Sequence, residues 1–159
     1  MVKKLLVCLT LISFLLFVGC EKDTTDQDEK NDYIAMKSDL VSKEDFDDAE
    51  NMNCDISISI DRIDKETISY ITYISNIKED MNDIKVLVVH NYFTEDVFPS
   101  IGIFDEPTSL KTSDNKSISL VGYIDTTKDI RKLDLELKVW IQYTDNLGEV
   151  KDIYYKTTK

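Results

Sequence analysis

Six side chains, Leu133, Leu135, Leu137, Val139, Ile141 and Tyr143, occupy every second position of "LDLELKVWIQY", while Asp134, Glu136, Lys138 and Gln142 lie between them. Successive side chains of a strand point to opposite faces, so this spacing predicts a strand that buries one face and wets the other. The same period of two runs through "CDISISIDRI", with Ile56, Ile58 and Ile60 in step. "TISYITYISN" carries apolar or aromatic residues on both faces and is rich in β-branched residues, which fits an inner strand. "IKVLVVHNYF", "KSISLVGYI" and "EVKDIYYK" follow, separated by polar turns such as "KEDMND", "TSDN" and "DNLG". "VFPSIGIF" is broken by Pro99 and Gly102 and belongs at an edge or in a bulged connection. Seven such segments in about a hundred residues, with no long helical period, predict an all-β domain over 54–157. An antiparallel sandwich of about seven strands is the expected architecture, and a small barrel is the alternative.

Upstream, "EKDTTDQDEKND" contains no apolar residue and cannot bury enough surface to offset chain entropy. Residues 20–41 are therefore expected to form a disordered acidic tether. In "VSKEDFDDAENMN", Ser42 fits an N-cap, Val41 and Phe46 a hydrophobic staple, and Glu44 and Asp45 the positive end of a helix, so a short helix is expected over 42–53.

The N-terminus reads as a basic start (Lys3, Lys4), an apolar core from Leu5 to Val18, then Gly19 and Cys20. That order is a secretory signal over 1–19. Its fourteen-residue core reaches only about 21 Å as a helix, short of the roughly 30 Å hydrocarbon slab. Phe17, Val18, Gly19 and Cys20 resemble the lipobox of bacterial lipoproteins, with Phe17 where Leu is usual. The resemblance implies that Cys20 receives a diacylglyceryl group, becomes the mature N-terminus and holds the protein on the extracellular face of a bacterial membrane. Two acyl chains anchor stably where one does not.

Three consequences follow for chemistry. With Cys8 lost in the signal and Cys20 lipidated, Cys54 has no disulfide mate and reads as a buried apolar residue or a free thiol. Loss of Lys3 and Lys4 takes the net charge from -12 to -14, which argues against nucleic acid and anionic lipid as partners. No G-x-S-x-G or H-E-x-x-H occurs, and His90 has neither nucleophile nor orienting partner in view, so the chain is expected not to be an enzyme and no cofactor is implied. His90 is expected to be a partly exposed strand-end residue.

The order of strands, above all "ISYITYISNIKEDMNDIKVLVV" and "KSISLVGYI", resembles the immunoglobulin-like domains of bacterial surface lipoproteins. The Cys-Trp-Cys hallmark of antibody domains is absent. What the resemblance implies is a fold and an extracellular setting, where such domains serve as binding modules, spacers and assembly partners.

Trp140 falls on the polar face of its strand. A loop of Asn146 to Gly148 would set it opposite Tyr154; a loop starting at Asp145 would set it opposite Ile153 with Tyr155 diagonal. Trp140, Tyr154 and Tyr155 are thus a candidate binding surface for a protein or envelope component, unless they pack under the N-terminal helix or brace the sheet. Asp105, Asp125 and Asp145, with Glu106, Asp129 and Glu149, lie near strand ends and are weak candidates for Ca2+. The sequence therefore favours a noncatalytic binding or envelope-assembly module, with a structural spacer as the alternative.

Overall fold

The computed structural model describes residues 22–159, with side chains from Gln27 onward; the signal segment and Cys20 lie outside the described residues. Among the described residues eight strands form two antiparallel sheets. β1 (Asp55–Arg62), β2 (Thr67–Ser75) and β6 (Ile118–Asp125) make one sheet in the order β1-β2-β6. β3 (Met81–His90), β4 (Ser100–Ile101), β7 (Glu136–Thr144) and β8 (Val150–Thr158) make the other in the order β4-β3-β7-β8, and β5 (Thr108–Leu110) pairs with β3 on the same edge as β4. The expected all-β sandwich is thus what the chain forms, with one strand more than the periodicity marked. Lettered in chain order, the sheets are A-B-E and C′-C-F-G, an immunoglobulin-like Greek key in which the strands after C stay with C instead of pairing with E.

The core lies between the sheets. Ile68, Tyr70 and Ile74 of β2, Leu120 and Ile124 of β6, and Val86 and Val88 of β3 meet Leu137, Val139, Ile141 and Tyr143 of β7. β7 therefore buries its odd-numbered residues, as its alternation requires. β3 carries one extra residue against β7, where Asn82↔Thr144 is followed by Lys85↔Gln142. This bulge is turned by Asp83 in the left-handed region (φ 50°).

The expectations for the tether and for the 42–53 helix are overturned. Residues Lys22–Ser42 form a helix, α1, where a disordered tether was expected, and 43–48 run extended where a helix was expected. The expected 42–53 helix shrinks to one 3-10 turn at Ala49–Asn51. The reason is tertiary. Tyr33, Met36 and Leu40 fall on one stripe of α1 and dock on Leu87, Val89 and Trp140, the outer face of the larger sheet. Burying Leu40, only 1% exposed, contributes about 1.5–3 kcal/mol that an isolated polar segment would lack. Ser42 ends this helix and does not begin one: its Oγ donates to Ser38 O at 3.0 Å. Lys138 Nζ donates to the carbonyls of Val41 (2.6 Å) and Lys43 (3.0 Å), placing a cation at the negative end of the helix. Downstream, Asp47 N–H donates to Tyr154 O (2.8 Å) and Tyr154 N–H to Asp47 Oδ2 (2.7 Å), so the extended segment covers the edge of β8. Among the described residues no helix is long and apolar enough to cross a membrane.

The β7–β8 hairpin closes through Asn146, Leu147 and Gly148, with Gly148 at φ 80°. Asp145 caps it: Oδ1 accepts from the N–H groups of Leu147 (2.8 Å) and Glu149 (2.9 Å), and Oδ2 lies 2.8 Å from Lys151 Nζ. The Lys151 ammonium and these N–H donors hold the Asp145 carboxyl below the usual carboxylate range. A depressed folded-state pKa stabilises fully above the ordinary value near 4 and is lost as pH falls through the lower folded value. Asp145→Asn keeps Oδ1 as an acceptor and removes only the charge. Its urea midpoint is therefore expected below wild type at pH 7, with the gap closing below about pH 4; a gap that stays constant in acid would contradict the assignment.

Candidate functional site: a cleft at the open edge of the smaller sheet

Gly122 sits inside β6, directly across from Tyr70 of β2. A strand-interior glycine marks close approach, and here the approaching group is the Tyr70 ring. A Cβ on Gly122 would stand 2.1 Å from Tyr70 Cζ. The ring is fully buried, and its hydroxyl has no hydrogen-bond partner among the described residues. His90, at the end of β3, meets Tyr70 edge-on at 5.6 Å, and Phe98 meets His90 edge-on at 4.9 Å. This stack closes the sandwich from one sheet to the other.

Beside it lies a cavity of about 260 Å³, lined by Tyr70 and His90, by Thr94, Asp96, Val97 and Phe98 of the β3–β4 loop, and by Val121 to Tyr123 of β6. Its surroundings are apolar and exposed: Val97 is 63% accessible, Val121 45% and Tyr123 56%, and Phe93 on the same loop is 85% accessible. Exposed apolar side chains clustered around a concavity mark an interaction site more often than single scattered ones do. The loop is braced from behind, because Phe98 N–H donates to Tyr33 Oη of α1 at 2.9 Å and Lys37 Nζ stands 5.0 Å from the Phe98 ring centre. Burial pushes the Tyr33 phenol above its ordinary pKa, so it stays neutral in this role.

His90 is buried (8% exposed) and not partly exposed as expected, because the β3–β4 loop folds back over it. Burial lowers its pKa, against the pull of the Tyr123 backbone. Nδ1 accepts Tyr92 N–H at 3.2 Å. A buried neutral imidazole, held through Nδ1 and stacked between Tyr70 and Phe98, acts as a spacer between the sheets.

The other sequence candidates are placed as follows. Trp140 pairs with Tyr154, the register given by the Asn146–Gly148 loop. It is no free aromatic platform, however: α1 covers the indole to 7% exposure, and Nε1 donates to Asp152 Oδ1 at 2.9 Å. Tyr154 is half-buried with Lys43 Nζ 3.9 Å above its ring, and Tyr155 packs toward the main core on the opposite face. The three therefore do not form one surface. Asp105 spends Oδ1 on Gly102 N–H (2.7 Å), Asp145 caps its hairpin and Asp125 ends β6 exposed. Among the described residues no three such groups converge to hold a metal, which removes the geometric basis of the calcium idea. Cys54 is buried, and burial pushes its thiol up to about 11.

A second cavity, about 250 Å³, is lined by Asn53, Tyr143, Lys151 and neighbours. Its polar groups are mutually satisfied: Tyr143 Oη donates to Glu79 Oε1 (2.5 Å), Asn53 Nδ2 to Glu79 Oε1 (2.6 Å), and Lys151 reaches both Glu79 (3.4 Å) and Asp145. Such a closed network braces the fold and leaves little to offer a ligand.

Fold and site together define an immunoglobulin-like β-sandwich with a helix on one outer face and an apolar-rimmed cleft at an open sheet edge. No protein-family model matches the chain, and no curated protein matches it. Among solved structures, the sporulation control protein Spo0M from Bacillus subtilis aligns at 10% identity and a TM-score of 0.28, covering 67% of this chain and 49% of that one. The chain thus spans about half the length of Spo0M, and a likeness at that level carries no argument about function.

Proposed function

We propose that this chain is a noncatalytic binding module, anchored through a lipidated Cys20 on the extracellular face of a bacterial membrane, and that the cleft beside β6 is its contact surface. The lipobox-like Phe17 to Cys20 supports the anchor. The observation that carries the binding role is the cleft itself, a cavity walled by a braced loop and rimmed by Val97, Val121 and Tyr123. Rim residues of this kind leave about half of their apolar surface in water, clustered around one concavity. A spacer with no ligand site, the rival role, has no use for them.

The test compares cells carrying wild type, Cys20→Ala, and the rim variant Val97→Ser/Tyr123→Ser after surface cross-linking. Cys20→Ala is expected in the medium and not in the membrane fraction; firm retention would refute the lipid anchor. The rim variant is expected to lose cross-linked partners by about tenfold or more, as hot-spot removal does, with an unchanged melting temperature. An unchanged cross-linking pattern would favour the spacer.

A further inference from the structure

The cleft lies against a strand edge with no neighbour. Thr126 N–H donates to Glu66 O in continuation of the β2–β6 ladder, so the even-numbered residues of β6 exchange hydrogen bonds with β2. The N–H and C=O groups of the odd-numbered residues, Ser119, Val121, Tyr123 and Asp125, then face outward. Among the described residues no backbone group bonds to them, and the His90 ring stands beside the Tyr123 carbonyl. The edge is vacant because β4 and β5, which follow β3, pair with β3.

The contrast with the edge of β8 is informative. That edge is paired by Asp47, as described above. Apart from the terminal Asp125, β6 lacks the usual guards: it is eight residues long, contains no proline, lysine or bulge, and points Ile118, Leu120 and Ile124 inward. Its outward side chains include Val121 and Tyr123, where a solvated edge would carry charge. A regular edge left unguarded beside a cavity is the arrangement used for strand addition.

We propose that the occupant is an extended peptide segment of a protein partner, paired antiparallel or parallel to β6 as a fourth strand of the smaller sheet, with one apolar side chain seated in the cavity and basic residues at its flanks. This rests on reading the cleft as the binding site. A strand placed about 4.8 Å outside β6 runs along the mouth between β6 and the β3–β4 loop. Its alternate side chains then point toward the cavity walled by Val97, Phe98 and His90. At the floor, the unpartnered Tyr70 hydroxyl is a donor for whatever acceptor enters. The chain carries a net charge of -12, and Glu95, Asp96 and Asp125 stand exposed around the site against two nearby cations, Lys37 behind Phe98 and Lys128 over Tyr92, a balance that favours a basic over an acidic segment.

The test measures amide hydrogen exchange across residues 117–125 of the detergent-extracted full chain, with and without an equimolar set of eight-residue peptides alternating Lys with Val, Ile, Phe or Tyr, at millimolar concentration. Exchange at Val121 and Tyr123 is expected to slow by about tenfold. The same peptides N-methylated at alternate amides keep their side chains but cannot pair, and are expected to give no slowing. Val121→Pro removes an outward N–H without breaking a bond to β2 and is expected to abolish the effect, whereas Val121→Thr, which alters the same rim side chain but keeps the N–H, is expected to preserve it. No slowing with any peptide, or equal slowing with the N-methylated set, overturns strand addition. Should Val121→Pro fail to fold, the N-methylated set decides alone. Slowing that depends on protein concentration without peptide, together with a dimeric mass, would make the occupant a second copy and also overturn it. Failure of the underlying reading looks different, because rim variants would then still capture the cellular partner.

Discussion

Gly122→Ala is expected to lower the melting temperature by about 2–12 °C. The added Cβ would meet Tyr70 Cζ at 2.1 Å, Oη at 2.2 Å and Cε1 at 2.6 Å, none of which is a flexible chain end free to swing away. The Tyr70 ring is fully buried and is backed by His90 from the other sheet, so it can yield only toward the cleft that it lines. Overpacking of a closed core costs about 1–3 kcal/mol and occasionally more, and in a domain of this size each kcal/mol lowers the melting temperature by about 2–4 °C. Backbone strain contributes nothing, because Gly122 lies outside the left-handed region. The cause is therefore separable by a double-mutant cycle. Tyr70→Leu opens the space, and Gly122→Ala in that background should cost less than about 1 kcal/mol. An equal cost in both backgrounds would place the damage in the strand and not in the ring contact.

The readability of this chain followed how many faces each element buries. β7 was marked by its alternation because its two faces differ, one toward the core and one toward Lys138 and Gln142. α1 was hidden because three contacts at Tyr33, Met36 and Leu40 leave most of a long polar helix in water, and no local rule says that a sheet waits beneath them. One sign was present in Trp140 itself. A large ring on an otherwise polar strand face needs cover, and its cover is α1. The cleft could not be assembled from sequence, since Tyr70, His90 and Phe98 meet only once the register of β2 on β6 is set. The single local trace was a glycine inside "ISLVGYI", a position where a strand normally carries a side chain. Charge patterning misled in the opposite direction. Asp105 and Asp145 lie at strand ends as expected, but each commits Oδ1 to the N–H groups of its own turn.

Trp140→Ala is expected to destabilise the protein by about 3–5 kcal/mol, a large part of the 5–15 kcal/mol that holds a typical domain folded. The indole fills the space between the larger sheet and α1, against Leu40, Met36 and Tyr154. Truncation leaves a hole that the helix must collapse into or abandon. α1 has too little apolar surface of its own to persist undocked, since its Thr-, Asp- and Asn-containing sequence has modest helix propensity and helices in proteins draw most of their stability from packing. The expected signature is therefore double: a lower melting temperature, and accelerated amide exchange along Tyr33 to Leu40 ahead of the strands. Trp140→Phe separates packing from hydrogen bonding. It retains most of the volume and gives up the bond to Asp152, whose Oδ1 still accepts from Gln142 at 3.1 Å, so its cost should stay near 1 kcal/mol. Because Tyr33 holds the Phe98 wall of the cleft, undocking α1 also loosens the binding surface from behind. Lost partner capture in Trp140→Ala would then report the brace, whereas loss in Val97→Ser/Tyr123→Ser at full stability reports the contact. Unchanged stability in Trp140→Ala with α1 still protected would show that the helix docks without the indole and that the brace lies elsewhere.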